Sequence, residues 1–224
     1  MIIQISATRP RQTPPQPSAA IRVAPPRIVV RSRPARVLDF DLENRPLSYL
    51  GSDFTTAEVT AIAWAWADDP KRVTVRLLGE HDLADILREF LSVFAQADLV
   101  TGHYITGHDL PMLNGALMEC RMPPLPDTRV SDTKTHLIRS KGLSLSQESL
   151  GAMFRLDAQK VQMNQIKWRA ANRLTAKGLA EVRKRVVGDV RQHIQLRKEL
   201  LAAGYLAGPK KWSSGAAKIE PYTP

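Results

Sequence analysis

Four acidic residues carry the chemistry this chain can be read for: Asp41 and Glu43 in VLDFDLENRP, Asp109 in TGHYITGHDLPML and Asp189 in RVVGDVRQHIQL. Each sits where the local pattern predicts burial or half-burial. A carboxylate there is costly unless positive charge offsets it. A pair of divalent metal ions would do so, and carboxylate clusters with bound metals cut phosphodiesters. Asp41 and Glu43 alternate with core residues on a strand, so they share one face while Leu42 points into the core. Asp39 shares that face, so the pair can also be read one step earlier, as Asp39 and Asp41; a solvated strand face is the competing reading. Asp189 lies inside an apolar stripe of Leu179, Val182, Val186, His193, Leu196 and Leu200 at helical steps of three and four. Its competing readings are local exposure or an ion pair with Arg185, Arg191 or His193. Asp109 opens a helix, where the helix dipole favours an anion, so a capping role competes there.

The elements that must position these acids follow from periodicity. RVLDFDLEN reads as a first strand, residues 58–68 as a second and 73–79 as a third, spaced as an antiparallel meander. Residues 81–97 form an amphipathic helix, 98–104 a short buried strand, 108–121 a helix and 127–132 a last strand. A short helix spans 144–156, with Ser146 and Ser149 as candidate caps. Residues 157–175 read as irregular, and a long helix runs from about Thr175 to Ala203. The result is an α/β chain with a mixed sheet of about five strands flanked by helices.

Composition sets the frame. The chain has 224 residues, 43% of them hydrophobic, enough for one domain with a real core plus tails. Residues 1–34 hold seven prolines and read as a disordered Pro/Arg-rich tail, with IRVAPPRIVV able to add an edge strand. The domain spans 35–204, and 205–224 is a weakly structured basic tail. Of the net charge of +10, residues 1–36 carry seven Arg and no Lys, Asp or Glu, which leaves the domain close to neutral. Basic tails attract polyanions, nucleic acid being the commonest, although a merely solvated tail fits equally. The single Cys120 permits no internal disulfide and no Cys-based zinc cluster, in keeping with a reducing compartment. No apolar run approaches the ~20 residues a membrane span needs. The N-terminal apolar start is too short for a secretory signal, and its prolines argue against the amphipathic helix of a transit peptide.

Together these motifs resemble those of the DEDD (DnaQ-like) 3′→5′ exonuclease superfamily. FDLEN resembles the first, Asp-x-Glu on the first strand. GHYITGHDLPMLN resembles the second, usually written G-H-N-x-x-x-F-D-L-P-x-L. VVGDVRQHIQL resembles the third, with its Asp on a helix followed by Val and, further on, Leu. SDTKTHL and SLSQESLGAMFRL resemble the D-T…S-L-x-x-L-A segment of family-B polymerase proofreading domains, and the region of Lys160 and Trp168 resembles the next stretch of those domains. The likeness covers roughly residues 37–203 and looks most like short phage-encoded or bacterial members that stand free of a polymerase.

The resemblance implies an RNase H-like fold. It implies that Asp41, Glu43, Asp109 and Asp189 hold two Mg²⁺ or Mn²⁺ ions about 3.5–4 Å apart, one activating a water and the other stabilising the leaving 3′ oxygen. Hard cations with oxygen ligands need no Cys or His set. The implied substrate is single-stranded DNA, with a polymerase or replication protein as a partner, in the cytoplasm of a bacterial or phage-infected cell. Two departures stand out. Where the family places a Tyr four residues before the last Asp, or a His five before it, this chain has Arg185 and Lys184, which stay charged at neutral pH. His193, one turn beyond Asp189, or His108, beside Asp109, could substitute as the catalytic base. His108 also replaces the family's Phe, and Tyr104 its Asn, at the position that holds the terminal nucleotide. Three further readings stay open: a nucleic-acid-binding module of the same fold with catalysis weakened by Arg185, an RNA 3′-end trimming enzyme, and four ordinary surface acids.

Overall fold

Alternation along the first strand sets up the whole architecture. The computed structural model describes residues 33–47, 54–158 and 161–216; the edge strand expected in IRVAPPRIVV, and Lys160, lie outside them. Strand β1 (Val37–Pro46) pairs antiparallel with β2 (Ala57–Trp66), which pairs antiparallel with β3 (Thr74–Leu77), as the meander predicts. After helix α1 (Leu83–Phe94), β4 (Leu99–Gly102) returns parallel to β1 on its other edge. Helix α2 (Asp109–Glu119) leads to β5 (Thr128–Asp132), parallel to β4. Then follow α3 (Gln147–Met153), α4 (Gln165–Asn172), the long α5 (Ala176–Ala202) and β6 (Lys210–Trp212). The described strands form one mixed sheet in the order β3-β2-β1-β4-β5-β6.

Two of these elements differ from expectation. β6 is a sixth strand inside the stretch read as a basic tail; it pairs antiparallel with β5 from Thr128↔Trp212 to Val130↔Lys210. A three-residue strand has no periodicity of its own to read. Helix α4 occupies part of the stretch read as irregular. It is capped by Asn164, which accepts from the amide of Lys167, and its Trp168 and Ala171 join the core beneath α5. So short a helix is marginal alone and owes its stability to packing. Ser146, and not Ser149, caps α3.

The two faces of the sheet are built differently. On one, Leu38, Phe40, Leu42, Ile62 and Trp64 pack against Ile86, Leu87, Phe90 and Phe94 of α1 and Leu110, Leu113 and Leu117 of α2. On the other, β2 presents Ala61, Ala63 and Ala65 to Val182, Val186 and Val190 of α5. The register matters here: Asp39 lies beside Ala65, Asp41 beside Ala63 and Glu43 beside Ala61. Small neighbours leave α5 room to approach the acidic face of β1. The register then shifts between Glu43 and Asn44, a bulge of the kind that re-aims side chains at strand ends.

The start of α5 is held by a close backbone approach. A Cβ on Gly178 would lie 2.2 Å from both the carbonyl carbon and oxygen of Ala170 in α4. In an isolated helix Ala is favoured over Gly by about 1 kcal/mol. Here overpacking against backbone, at a cost of about 1–3 kcal/mol or more, outweighs that gain. Gly178→Ala is therefore expected to destabilise the protein, read as a lower midpoint in urea unfolding; a raised midpoint would show that α4 yields freely.

Candidate metal centre

Three of the four acids converge. β1 carries Asp41 and Glu43 on the face toward α5, and α5 brings Asp189 to them from the middle of its buried stripe. One carboxylate oxygen from each of the three lies within 4.8 Å of the others. Hard divalent cations bind carboxylate oxygens at about 2.0–2.6 Å, so this spacing lies within the reach of a single ion. The donor set, three carboxylates and no sulfur, fits Mg²⁺ or Mn²⁺.

Asp109 approaches from the opposite side of the strand. It is the first residue of α2, 3% exposed, and its Oδ1 accepts the amide of Leu42 at 3.2 Å. Leu42 lies between Asp41 and Glu43, so Asp109 grips the strand segment that bears the other two. Burial pushes its carboxyl up to about 7, with the charges of Asp132 and Glu43 adding and the amides of Leu42 and Asp109 itself opposing. Asp109 is therefore held ready to lose a proton when positive charge arrives.

Arg185 points into the cluster. Its Nε donates to Glu43 Oε1 at 2.6 Å and lies 3.7 Å from Asp189 Oδ2. Its Nη1 donates to the carbonyl of Val161 at 2.9 Å, and its guanidinium carbon lies 5.3 Å from the Trp168 ring centroid. Burial works against this charge, but Asp189, Glu43 and Asp41 more than offset it and hold the guanidinium proton more tightly than usual. Of the ion pairs weighed for Asp189, that with Arg185 forms, while Arg191 donates to the carbonyl of Lys71. Lys184 is exposed beside Glu181 at 3.7 Å.

The two candidate histidines have different surroundings. His193 is 2% exposed; its Nδ1 lies 2.5 Å from Asp39 Oδ2 and its Nε2 lies 2.9 Å from Thr133 Oγ1. Both ring nitrogens are thus engaged below the cluster. His108 stands at the rim, with Nε2 3.2 Å from Asn44 Oδ1. Asp39, the alternative first ligand, is fully buried with His193 and is not one of the three converging acids.

Asp132 has a role that periodicity did not reveal. From the end of β5 it accepts the amides of Tyr104, Thr106, Lys134 and Thr135 and the hydroxyl of Thr106. Burial pushes its carboxyl up, but the bonds from Thr106, Thr135 and Lys134 prevail and hold it at about 2. These bonds clamp the GHYITGH loop, in which Tyr104 adopts a left-handed φ of 67° under the Lys134 ammonium, 3.9 Å from its ring centroid. The short polar run SDTKT at a strand end is the signal that marks such a clamp.

Comparisons with known proteins accord with this architecture. No protein-family model matches the chain. No curated protein matches it either. Among solved structures, it is similar to the family B DNA polymerase of the hyperthermophilic archaeon Pyrobaculum calidifontis, with a TM-score of 0.56 and 20% identity. The likeness covers 75% of this chain and 25% of the polymerase, so the chain spans about a quarter of that protein's length. At this identity the similarity establishes the fold: a mixed α/β sheet flanked by helices, consistent with an RNase H-like domain.

Proposed function

We propose that this chain is a metal-dependent 3′→5′ exonuclease that hydrolyses phosphodiester bonds at single-stranded DNA ends. The observation that carries it is the convergence of Asp41, Glu43 and Asp189 within 4.8 Å, with Asp109 bound to the amide between the first two. The direction of digestion and the choice of DNA rest on the motif resemblance, supported by the fold shared with a DNA polymerase. Divalent cations at these carboxylates would supply activation of water and stabilisation of the leaving oxygen. The chain's own residues do the rest. Asp41, Glu43 and Asp189 supply the ligand oxygens. Asp109 gives up its proton as positive charge accumulates. The clamped loop around Tyr104 offers an aromatic ring and a lysine ammonium to a strand end, while the basic termini attract the phosphate backbone. Of the two candidate bases, His108, at the exposed rim, is the one open to solvent for proton transfer.

Arg185 favours a second reading, a nucleic-acid-binding module of the same fold with weakened turnover. A guanidinium already neutralising two ligand carboxylates competes with any cation. One experiment separates the readings. A 5′-labelled single-stranded DNA, with an RNA of the same sequence alongside, is incubated with Mg²⁺ or Mn²⁺. A ladder of shortened DNA that disappears in EDTA and in Asp41→Ala is the expected result. A gel-retarded complex that persists in EDTA without any ladder supports the binding module, and a ladder on RNA alone moves the substrate to RNA.

Removing the competitor tests Arg185. A charged hydrogen bond is worth about 1.5–3 kcal/mol, and about 1.4 kcal/mol is tenfold in affinity. Arg185→Leu should therefore tighten Mn²⁺ binding about tenfold by calorimetry and lower the melting temperature of the metal-free protein. Unchanged affinity would mean that Arg185 does not contest the cation position.

Asp109 gives a pH signature. Its carboxyl sits at about 7 in the fold against 3.8 in the unfolded chain, so the native state holds a proton that the unfolded state releases between these values. The stability this contributes is complete below the lower value and is lost as pH rises through the upper one. In EDTA, Asp109→Asn should melt higher than the parent at about pH 8, and the difference should close toward about pH 4. A pH-independent difference would place the effect elsewhere.

A further inference from the structure

Below the acidic cluster lies a second tier of polar contacts that the proposed hydrolysis does not use directly. Asp39 on β1 is 0% exposed, His193 on α5 is 2% exposed, and Thr133 just beyond β5 is 0% exposed. They form a continuous chain: Asp39 Oδ2 to His193 Nδ1 at 2.5 Å, His193 Nε2 to Thr133 Oγ1 at 2.9 Å, and Thr133 Oγ1 to His103 Nδ1 at 2.9 Å. Thr133 also binds the carbonyl of Gly102 through its amide at 3.1 Å. The chain thus joins β1, α5 and the ends of β5 and β4. One helical turn further on, Arg197 Nε lies 3.5 Å from Ser131 Oγ and acts electrostatically on Asp39.

Its members are placed one step from the ligand candidates. Asp39 is two residues before Asp41 on the same strand face, and His193 is four residues after Asp189 on the same helix face. His103 begins the loop that leads to Asp109. The apolar contacts between α5 and β2 do little to specify how far α5 is rotated or advanced. Three alanines facing valines form a nearly uniform surface. A slip of one residue advances a helix by about 1.5 Å and turns it by about 100°, enough to carry Asp189 away from Asp41 and Glu43. A buried carboxylate and imidazole tolerate no such slip, because each would lose its partner in a site closed to water.

We propose that Asp39, His193 and Thr133 are positioning residues that fix the rotation and register of α5 against β1, so that Asp189 reaches Asp41 and Glu43. This rests on the metal-dependent reading for its purpose, while the amide-exchange arm of its test stands apart from that reading. The pair's role changes accordingly: His193 acts through Asp189, not as the base.

The test compares full-length single and double variants. Asp39→Val and His193→Leu each strand one buried partner and lower the melting temperature. The double variant replaces the pair with apolar side chains, a change that commonly restores stability. Its melting temperature is expected to return near the parent value, while Mn²⁺ affinity by calorimetry stays at least tenfold weaker. Amide exchange from Val190 to Ile194 in the metal-free double variant is expected to be faster than in the parent. Affinity and protection that recover together with melting temperature would overturn the proposal and leave the pair as core filling. If the parent binds no Mn²⁺, the metal reading falls while amide exchange still decides the register. Should the double variant not fold, Asp39→Asn keeps the shape and weakens the bond, and Mn²⁺ affinity and amide protection from Val190 to Ile194 must both fall with it.

Discussion

Mutual repulsion among carboxylates is the constraint to which the rest of this molecule answers. Asp41, Glu43 and Asp189 hold oxygens within 4.8 Å of one another at a half-buried place. Two like charges about 4 Å apart near a protein surface repel by about 4 kcal/mol before any compensation. Such a cluster persists only if the surroundings force it together or neutralise it. Both occur here. Arg185 sets a guanidinium against Glu43 and Asp189, and it is itself anchored on Val161 and beside Trp168. Asp109, deeper, has its carboxyl pushed up to about 7 by burial, so it adds only part of a fourth charge to the first three near neutrality.

Architecture supplies the forcing. The face of β1 that carries the acids is flanked on β2 by alanines, and the opposite face by large apolar side chains that lock β1 and β2 onto α1 and α2. One side of the sheet is thus a rigid, densely packed support, and the other leaves space for α5 to come close. Helix α4 underlies this arrangement twice: its backbone touches Gly178 at the start of α5, and its Trp168 borders the Arg185 guanidinium. A segment without an evident local pattern therefore borders the guanidinium that faces the centre.

Much of this was legible in the chain because it depends on local period. The β1 alternation placed Leu38, Phe40 and Leu42 in the core and the acids on the other face. The stripe from Leu179 to Leu200 is buried as its spacing requires, with Asp189 and His193 inside it. What escaped were features with no period to read. The three residues of β6 form a strand because β5 offers an open edge, and α4 exists because α5 covers it. Asp132 lies in a polar run that marks a turn, but which backbone amides it accepts is settled only when the loop around Tyr104 folds back onto it.

By itself, the sequence determined which residues face inward, that four acids lie spread along one α/β chain at positions of burial or half-burial, and that Lys184 and Arg185 precede Asp189 within about one helical turn. These follow from residue type and spacing, which need no partner segment. Only the tertiary structure decided what those residues meet. It paired His193 with Asp39, 154 positions away. It turned Arg185, and not Lys184, onto Glu43, 142 positions away. It joined three acids at one point and put Asp109 against the amide of Leu42. The physical reason is the same throughout: a hydrogen bond or ion pair acts over a few ångströms in space, and the distance between its partners along the chain is set by topology alone.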